Sequence, residues 1–196
     1  MPTEDGSFTF YSSYFNEHYH SLKGAQEESY KKFILPAQLE FYPNPVHVLD
    51  IGFGLGYNSL TLIQEAQKIN KPYKIHALEL FPEVLELGLK VHSKENQTIL
   101  TQLINQKKYL SQKSSIEIFF GDARKNLKNL PCYFYHCVFL DPFSPPKNPE
   151  LWSIETFNQL FKLLHPKGKI LTYSSALSVI SGFKKAGFFV GYTPPV

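Results

Sequence analysis

Four carboxylates stand at the ends of apolar runs, each followed by a turn: Asp50 in "VHVLDIG", Glu79 in "YKIHALEL", Asp122 in "SSIEIFFGDA" and Asp141 in "YHCVFLDPF". Such runs read as buried strands, and an open α/β sheet binds its ligands outside the carboxyl ends of its strands. Carboxylates gathered there can accept hydrogen bonds from ribose hydroxyls or an amine, and can take up a proton. Gly52, Gly54 and Gly56 follow Asp50 in "VLDIGFGLGYNS". Glycines between a strand and a helix let the backbone approach a ligand closely. A dinucleotide fingerprint needs its third glycine at position 57, where this chain has Tyr57. The glycines alone also fit a tight turn that holds nothing, and a lone Glu79 also fits a solvated strand end. Asp122 suits an N-cap for a helix starting near Ala123, a role compatible with ligand contact.

The stretch "FLDPFSPPKNPELW" raises a second question. Four prolines fall among the eight residues after Asp141. Proline fixes its own φ and restricts the residue before it, so the loop holds one shape at low entropic cost. A rigid loop directly after a strand-end carboxylate suits a pocket wall.

The elements that must position these residues alternate. Strands are expected at "PVHVLDIG", "YKIHALEL", "SSIEIFFGDA", "YHCVFLDPF", "GKILTYSS" and 187–193, with helices between them. "YNSLTLIQEAQKIN" has Leu60, Ile63, Ala66 and Ile69 at helical spacing, and Pro82 suits the first turn of "PEVLELGLKVHS". Residues 7–15 read as a strand or hairpin, and 24–41 as a helix interrupted near Pro36. The Gln- and Lys-rich stretch 95–113 reads as a solvated helical insertion. Strands alternating with helices, several of the strands apolar throughout, predict a mostly parallel, doubly wound α/β sheet covered on both faces.

Composition bounds the rest. A chain of 196 residues with 43% hydrophobic and 19% charged residues is expected to be one globular unit. A net charge of +3 permits a polyanionic partner without demanding one. Cys132 and Cys137 have no zinc-pair spacing and are expected to be reduced. The start "MPTEDGSFTF" lacks a leader pattern, and no apolar run approaches the ~20 residues of a membrane span, so a cytoplasmic protein is expected. The seven histidines show no HExxH pattern, and no metal is expected. His18 and His20 flank Tyr19 and fit either a site entrance or ordinary solvated or core positions.

The G-x-G-x-G form after an acidic strand residue resembles the first motif of class I S-adenosylmethionine-dependent methyltransferases. The resemblance implies that Asp50, Gly52, Gly54, Gly56, Glu79 and Asp122 bind S-adenosylmethionine: Asp50 near its methionine end, Glu79 at the ribose and Asp122 at the adenine. "DPF" is similar to the Asp-Pro-Pro-aromatic motif of enzymes that methylate amino groups on nucleobases. The longer "LDPFSPPKNPELW" resembles the Leu-Asp-Ala-Phe-x-Pro-x-Lys-Asn-Pro-Glu-Met-Trp stretch of the tRNA 5-methylaminomethyl-2-thiouridine methyltransferases, with Pro142 and Leu151 in place of Ala and Met. That family is the methyltransferase half of a bifunctional wobble-uridine enzyme, found also as a standalone protein. "DGSFTFYSSYFNEHYHSLKGAQEESYKKF" and "LTYSSALSVISGFKKAGFFV" extend the likeness over nearly the whole chain.

The resemblance implies a Rossmann-like methyltransferase domain over 46–196, with 1–45 as an N-terminal β/helical segment packed on it. It implies S-adenosylmethionine as cofactor, without FAD, and tRNA as partner; a monomer is favoured. Asp141 is then the catalytic residue, orienting the acceptor amine and helping to accept its proton. Phe143, Lys147, Asn148 and Trp152 are substrate-binding candidates, though Lys147 also fits a solvated position and Trp152 a core one. The family's usual Gly-x-x-Lys-Arg segment on a final antiparallel strand has no counterpart before "GYTPPV". Two other readings stay open: a polyamine aminopropyltransferase-like enzyme, and an inactive cofactor- or RNA-binding module.

Overall fold

The computed structural model describes residues 1–193. A two-stranded hairpin, β1 (Tyr11–Ser12) and β2 (Glu17–His18), opens the chain. Helix α1 (Ala25–Ser29) runs through a π-helical turn, Tyr30–Ile34, into α2 (Leu35–Ala37). The turn absorbs Pro36, which lacks an N–H and would otherwise clash with the preceding helical turn. Then come β3 (Val46–Ile51), α3 (Tyr57–Lys68), β4 (Tyr73–Glu79), α4 (Val84–Leu89), α5 (Lys94–Gln106), β5 (Lys108–Ser111) and β6 (Ser114–Phe120). The chain continues through α6 (Ala123–Leu127), β7 (Tyr135–Leu140), α7 (Ile154–Leu163), β8 (Leu164–Thr172) and α8 (Leu177–Lys185).

Six strands form one sheet in the order β5-β6-β4-β3-β7-β8, parallel except at β5. The central strands are largely apolar because both faces are covered. In β3, Val46 and Val48 face a core shared with α3, α4, α5 and the N-terminal helices, while Leu49 and Ile51 face α6, α7 and α8. β7 divides the same way, Cys137 and Phe139 to one side, Val138 and Leu140 to the other. The expected doubly wound α/β sheet is what forms.

Two local expectations do not hold. Residues 95–113 are not a solvated insertion: Ile99, Leu100 and Leu103 of α5 lie in the first core, and 108–111 pair antiparallel with β6 as an edge strand. The polar residues that dominate this stretch occupy one face of an amphipathic helix. Residues 187–193 form no strand either. Phe188 packs edge-on against Phe161 and Phe183, whereas Phe189 is 106% exposed. A strand needs a hydrogen-bonded neighbour, and among the described residues none lies beyond the β8 edge. The last three residues of "GYTPPV" lie outside the described residues. No helix among the described residues is long and apolar enough to cross a membrane.

Candidate active site

The carboxyl ends of β3, β4, β6 and β7 open onto one cavity of about 510 Å³. Of the sequence-predicted site residues, Gly52, Gly54, Glu79, Asp122, Asp141, Phe143 and Asn148 line it. Asp50, Gly56, Lys147 and Trp152 do not. Asp50 is fully buried behind the turn, where Ser59 Oγ donates to its Oδ2 at 2.6 Å. Gly56 caps α3 in a left-handed conformation against Phe53 and Leu60. Lys147 is exposed on the proline loop. Trp152 is 8% exposed in the second core, and its Nε1 donates to Phe143 O at 2.8 Å. The core reading of Trp152 is therefore the one its position supports, and its polar edge props the loop from beneath.

The glycine turn packs tightly against the proline loop. Gly52 has φ +84°, and a Cβ there would lie 2.7 Å from Asp141 O. Glu79 fastens the turn from the other side: Gly54 N donates to its Oε2 at 2.7 Å and Phe81 N to its Oε1 at 3.0 Å. Asp141 follows β7, its N–H donating to Ile51 O at 3.0 Å, so the carboxylate stands beside the turn. Asn58, in the first turn of α3, donates from Nδ2 to Asp141 Oδ2 at 2.7 Å. Asn58 is 3% exposed and lay unnoticed in the sequence, since one polar residue in a helical stretch carries no local signal.

The N-terminal hairpin roofs the cavity, a role the sequence hid apart from the site-entrance reading of His18 and His20. Phe15 stacks on Phe143 at 4.2 Å, Tyr19 meets the same ring edge-on at 5.1 Å, and His18 and His20 also line the wall. Ser144 N and Oγ donate to Glu17 Oε2 at 3.0 and 2.8 Å, joining hairpin to loop. On the far side Tyr173 OH donates to Pro142 O at 2.9 Å.

Burial raises the proton affinity of three carboxylates here. Asp50 is pushed up to about 7 by desolvation, against the lowering effect of Ser59, with the nearby Glu79 charge adding to the rise. Desolvation also raises Glu79, against its backbone donors, and lifts Asp141 well above the usual carboxylate range, against the Asn58 hydrogen bond. Asp122 goes the other way, lowered first by its bonds from Arg124, whose Nε and Nη2 donate at 3.0 and 2.7 Å. It also caps α6 through Arg124 N at 2.9 Å. Carboxylates whose charged forms are disfavoured gain most from a bound cation.

Trp152→Phe tests the prop. The ring volume is largely kept but Phe143 O loses its donor, so we expect a loss of about 1 kcal/mol in thermal or denaturant unfolding. An unchanged stability would show that Trp152 contributes packing alone.

A parallel sheet in this order, with a glycine turn after its first strand and acids at the following strand ends, defines a class I S-adenosylmethionine-dependent methyltransferase. A family model described as S-adenosyl-L-methionine-dependent methyltransferase matches residues 86–196. The chain is 34% identical over 162 residues to the tRNA 5-methylaminomethyl-2-thiouridine biosynthesis bifunctional protein MnmC of Campylobacter hominis, covering 77% of this chain and 24% of that protein. It is 29% identical over 212 residues to the protein of the same name from an Azoarcus species, covering 97% and 32%. The crystal structure of MnmC2 from Aquifex aeolicus superposes with a TM-score of 0.83 at 31% identity, covering 97% of this chain and 64% of that one. The chain belongs to the MnmC methyltransferase family. It spans a third or less of the length of these two bifunctional relatives.

Proposed function

We propose that this protein transfers a methyl group from S-adenosylmethionine to the amine of 5-aminomethyl-(2-thio)uridine at the wobble position of tRNA, giving 5-methylaminomethyl-(2-thio)uridine. The observation that carries this reading is Asp141: a carboxylate at the β7 end, fixed by Asn58 and walled by Phe143, in a cavity beside the glycine turn. The tRNA named for the MnmC relatives supports the choice of acceptor.

The residues fit the cofactor. Gly52 and Gly54 present bare backbone to the cavity, and Glu79 sits at the base of the turn with lone pairs beyond those its two backbone donors use. When bound, S-adenosylmethionine supplies an electrophilic methyl on a sulfonium. In this reading Gly52, Gly54 and Glu79 hold it, while Asp50 and Gly56 act indirectly, by shaping the turn. Asp122 reaches the adenine only from its clasp with Arg124. The acceptor arrives as an alkylammonium with no lone pair, so a proton must leave before nitrogen attacks. Asp141 orients the amine and accepts that proton, a task its raised proton affinity favours. The neutral amine so held would accept the methyl, with the sulfonium released as a neutral thioether. Phe143 and Asn148 contact the uridine, and exposed Lys147 pairs with a phosphate.

The direct test is single-turnover transfer of labelled methyl to tRNA isolated from cells unable to complete this modification, with mass spectrometry of the digested nucleosides. The expected product is 5-methylaminomethyl-(2-thio)uridine. tRNA left unmodified would remove the tRNA assignment, and aminopropyl transfer from the decarboxylated cofactor would replace the reaction class.

Glu79 offers a separate test of the cofactor site. Glu79→Gln keeps an oxygen for a backbone donor but removes the charge that ribose hydroxyls bond to. We expect about 10-fold weaker S-adenosylmethionine binding by calorimetry, with the fold intact by circular dichroism. Wild-type affinity would contradict the ribose role.

A further inference from the structure

The hairpin places a second carboxylate in the cavity wall. Glu17 is half-buried, and both of its bonds from Ser144 fall on one oxygen, Oε2. The neighbouring charges are differently placed. Arg124, the one Lys or Arg in the cavity wall among the described residues, is clasped to Asp122, and Glu28 is paired with Lys32. Glu79 holds backbone N–H groups, and Asp141 is bonded by Asn58. Glu17 has no cationic partner within salt-bridge distance among the described residues. Its place is fixed: Phe15 and Tyr19, on either side of it in sequence, both touch Phe143, and Ser144 follows that ring. Glu17 and Asp141 both line the cavity, and both act on the Tyr173 hydroxyl.

We propose that Glu17 is a specificity-determining residue that recognises the positive charge of the acceptor before methyl transfer, so that the site selects an alkylammonium over a neutral group of the same size. The inference rests on the reading of an amine acceptor given above. An ammonium carries three donors, of which Asp141 can take one. A second carboxylate nearby takes another through the oxygen Ser144 leaves free, and a charge-assisted bond of this kind discriminates against a neutral hydroxyl. A purely structural Glu17, serving only to latch the hairpin to the proline loop, would do none of this.

The test separates charge from latch. Glu17→Gln keeps an oxygen for Ser144 but removes the charge; Ser144→Ala weakens the latch and keeps the charge. Binding of the nucleosides 5-aminomethyluridine and 5-hydroxymethyluridine is measured by calorimetry on each S-adenosylhomocysteine-loaded protein, beside methyl transfer to the tRNA. We expect wild type and Ser144→Ala to prefer the amine about 10-fold more strongly than Glu17→Gln, in which Asp141 alone remains to bond the ammonium. The ratio is read within each variant, so a general loss of stability does not move it. A preference undiminished in Glu17→Gln, with wild-type tRNA methylation intact, overturns the role of Glu17 and leaves the proposed function standing. A preference that depends on Glu17, with tRNA left unmethylated, supports Glu17 and removes the tRNA acceptor. No preference in wild type overturns the inference whatever the tRNA shows.

Discussion

Asp141→Ala is expected to fold, to keep most of its S-adenosylmethionine affinity and to lose methyl transfer by about 10²-fold or more, the usual range for removing a positioned acid–base group. The expectation is differential. A group that orients the amine and accepts its proton acts mainly on the transition state, so the rate falls further than binding does. The structure sharpens the test. Asn58 already donates to Asp141 Oδ2, and removing the carboxylate leaves that buried amide without its partner. A modest loss of stability should accompany the loss of rate, and thermal unfolding separates the two. The pH profile separates them again. Burial raises Asp141, so its ionised form, the one that accepts a proton, is gained as pH rises through that elevated value. Activity governed by it should rise with pH on the acid side, and Asp141→Asn should flatten that limb. A fully active Asp141→Ala enzyme, assayed by single-turnover methyl transfer, would remove the catalytic role and leave alignment and desolvation to account for the rate.

The sheet was legible because its strands are buried on both faces: β3 and β7 read as apolar runs broken only by His47 and His136, and each leads into the acid that the fold brings to the ligand side. Asp50, Glu79, Asp122 and Asp141 could be placed at strand ends from the sequence, but their surroundings could not. Whether a strand-end acid faces a cavity depends on what covers it, and that sets Asp50, walled off behind the turn, apart from Asp141. The roof was the least legible part. β1 and β2 are two residues each, too short for a pattern, and Glu17 meets Ser144 across 127 residues. In α5, the Gln and Lys residues that suggested solvation outnumber the buried stripe of Ile99, Leu100 and Leu103. Trp152 fitted a substrate contact or a core position equally well, and only the packing decides between them. For 187–193, an apolar, β-branched and aromatic stretch satisfied the local rule for a strand, but strand formation needs a neighbour that no local rule supplies.

Gly52→Ala should be severely damaging although it adds only a methyl group. Its backbone sits at φ +84°, a conformation that costs an L-residue about 1–2 kcal/mol. Strain alone would be tolerable; the neighbours are the larger problem. The added Cβ would lie 2.7 Å from Asp141 O, 3.0 Å from Asp141 C and 3.1 Å from Pro142 Cα. These are backbone atoms and cannot rotate away. Relief must come from moving the glycine turn or the proline loop, and both are held. Glu79 fastens the turn through Gly54 N, while Tyr173 and Trp152 fasten the loop at Pro142 O and Phe143 O. Prolines stiffen what remains, so the loop shifts as a body and carries Asp141 with it. A displacement near 1 Å in a reacting group can cost about 10²-fold in rate, and the displaced turn should weaken cofactor binding as well. Gly6→Ala provides the comparison, since Gly6 has φ +81° with nothing within 4 Å of the added Cβ, away from the cavity. It should lose stability by a similar strain and keep its methyl transfer. If Gly52→Ala matched Gly6→Ala in methyl transfer and S-adenosylmethionine affinity, the close contact between turn and loop would have no part in forming the site.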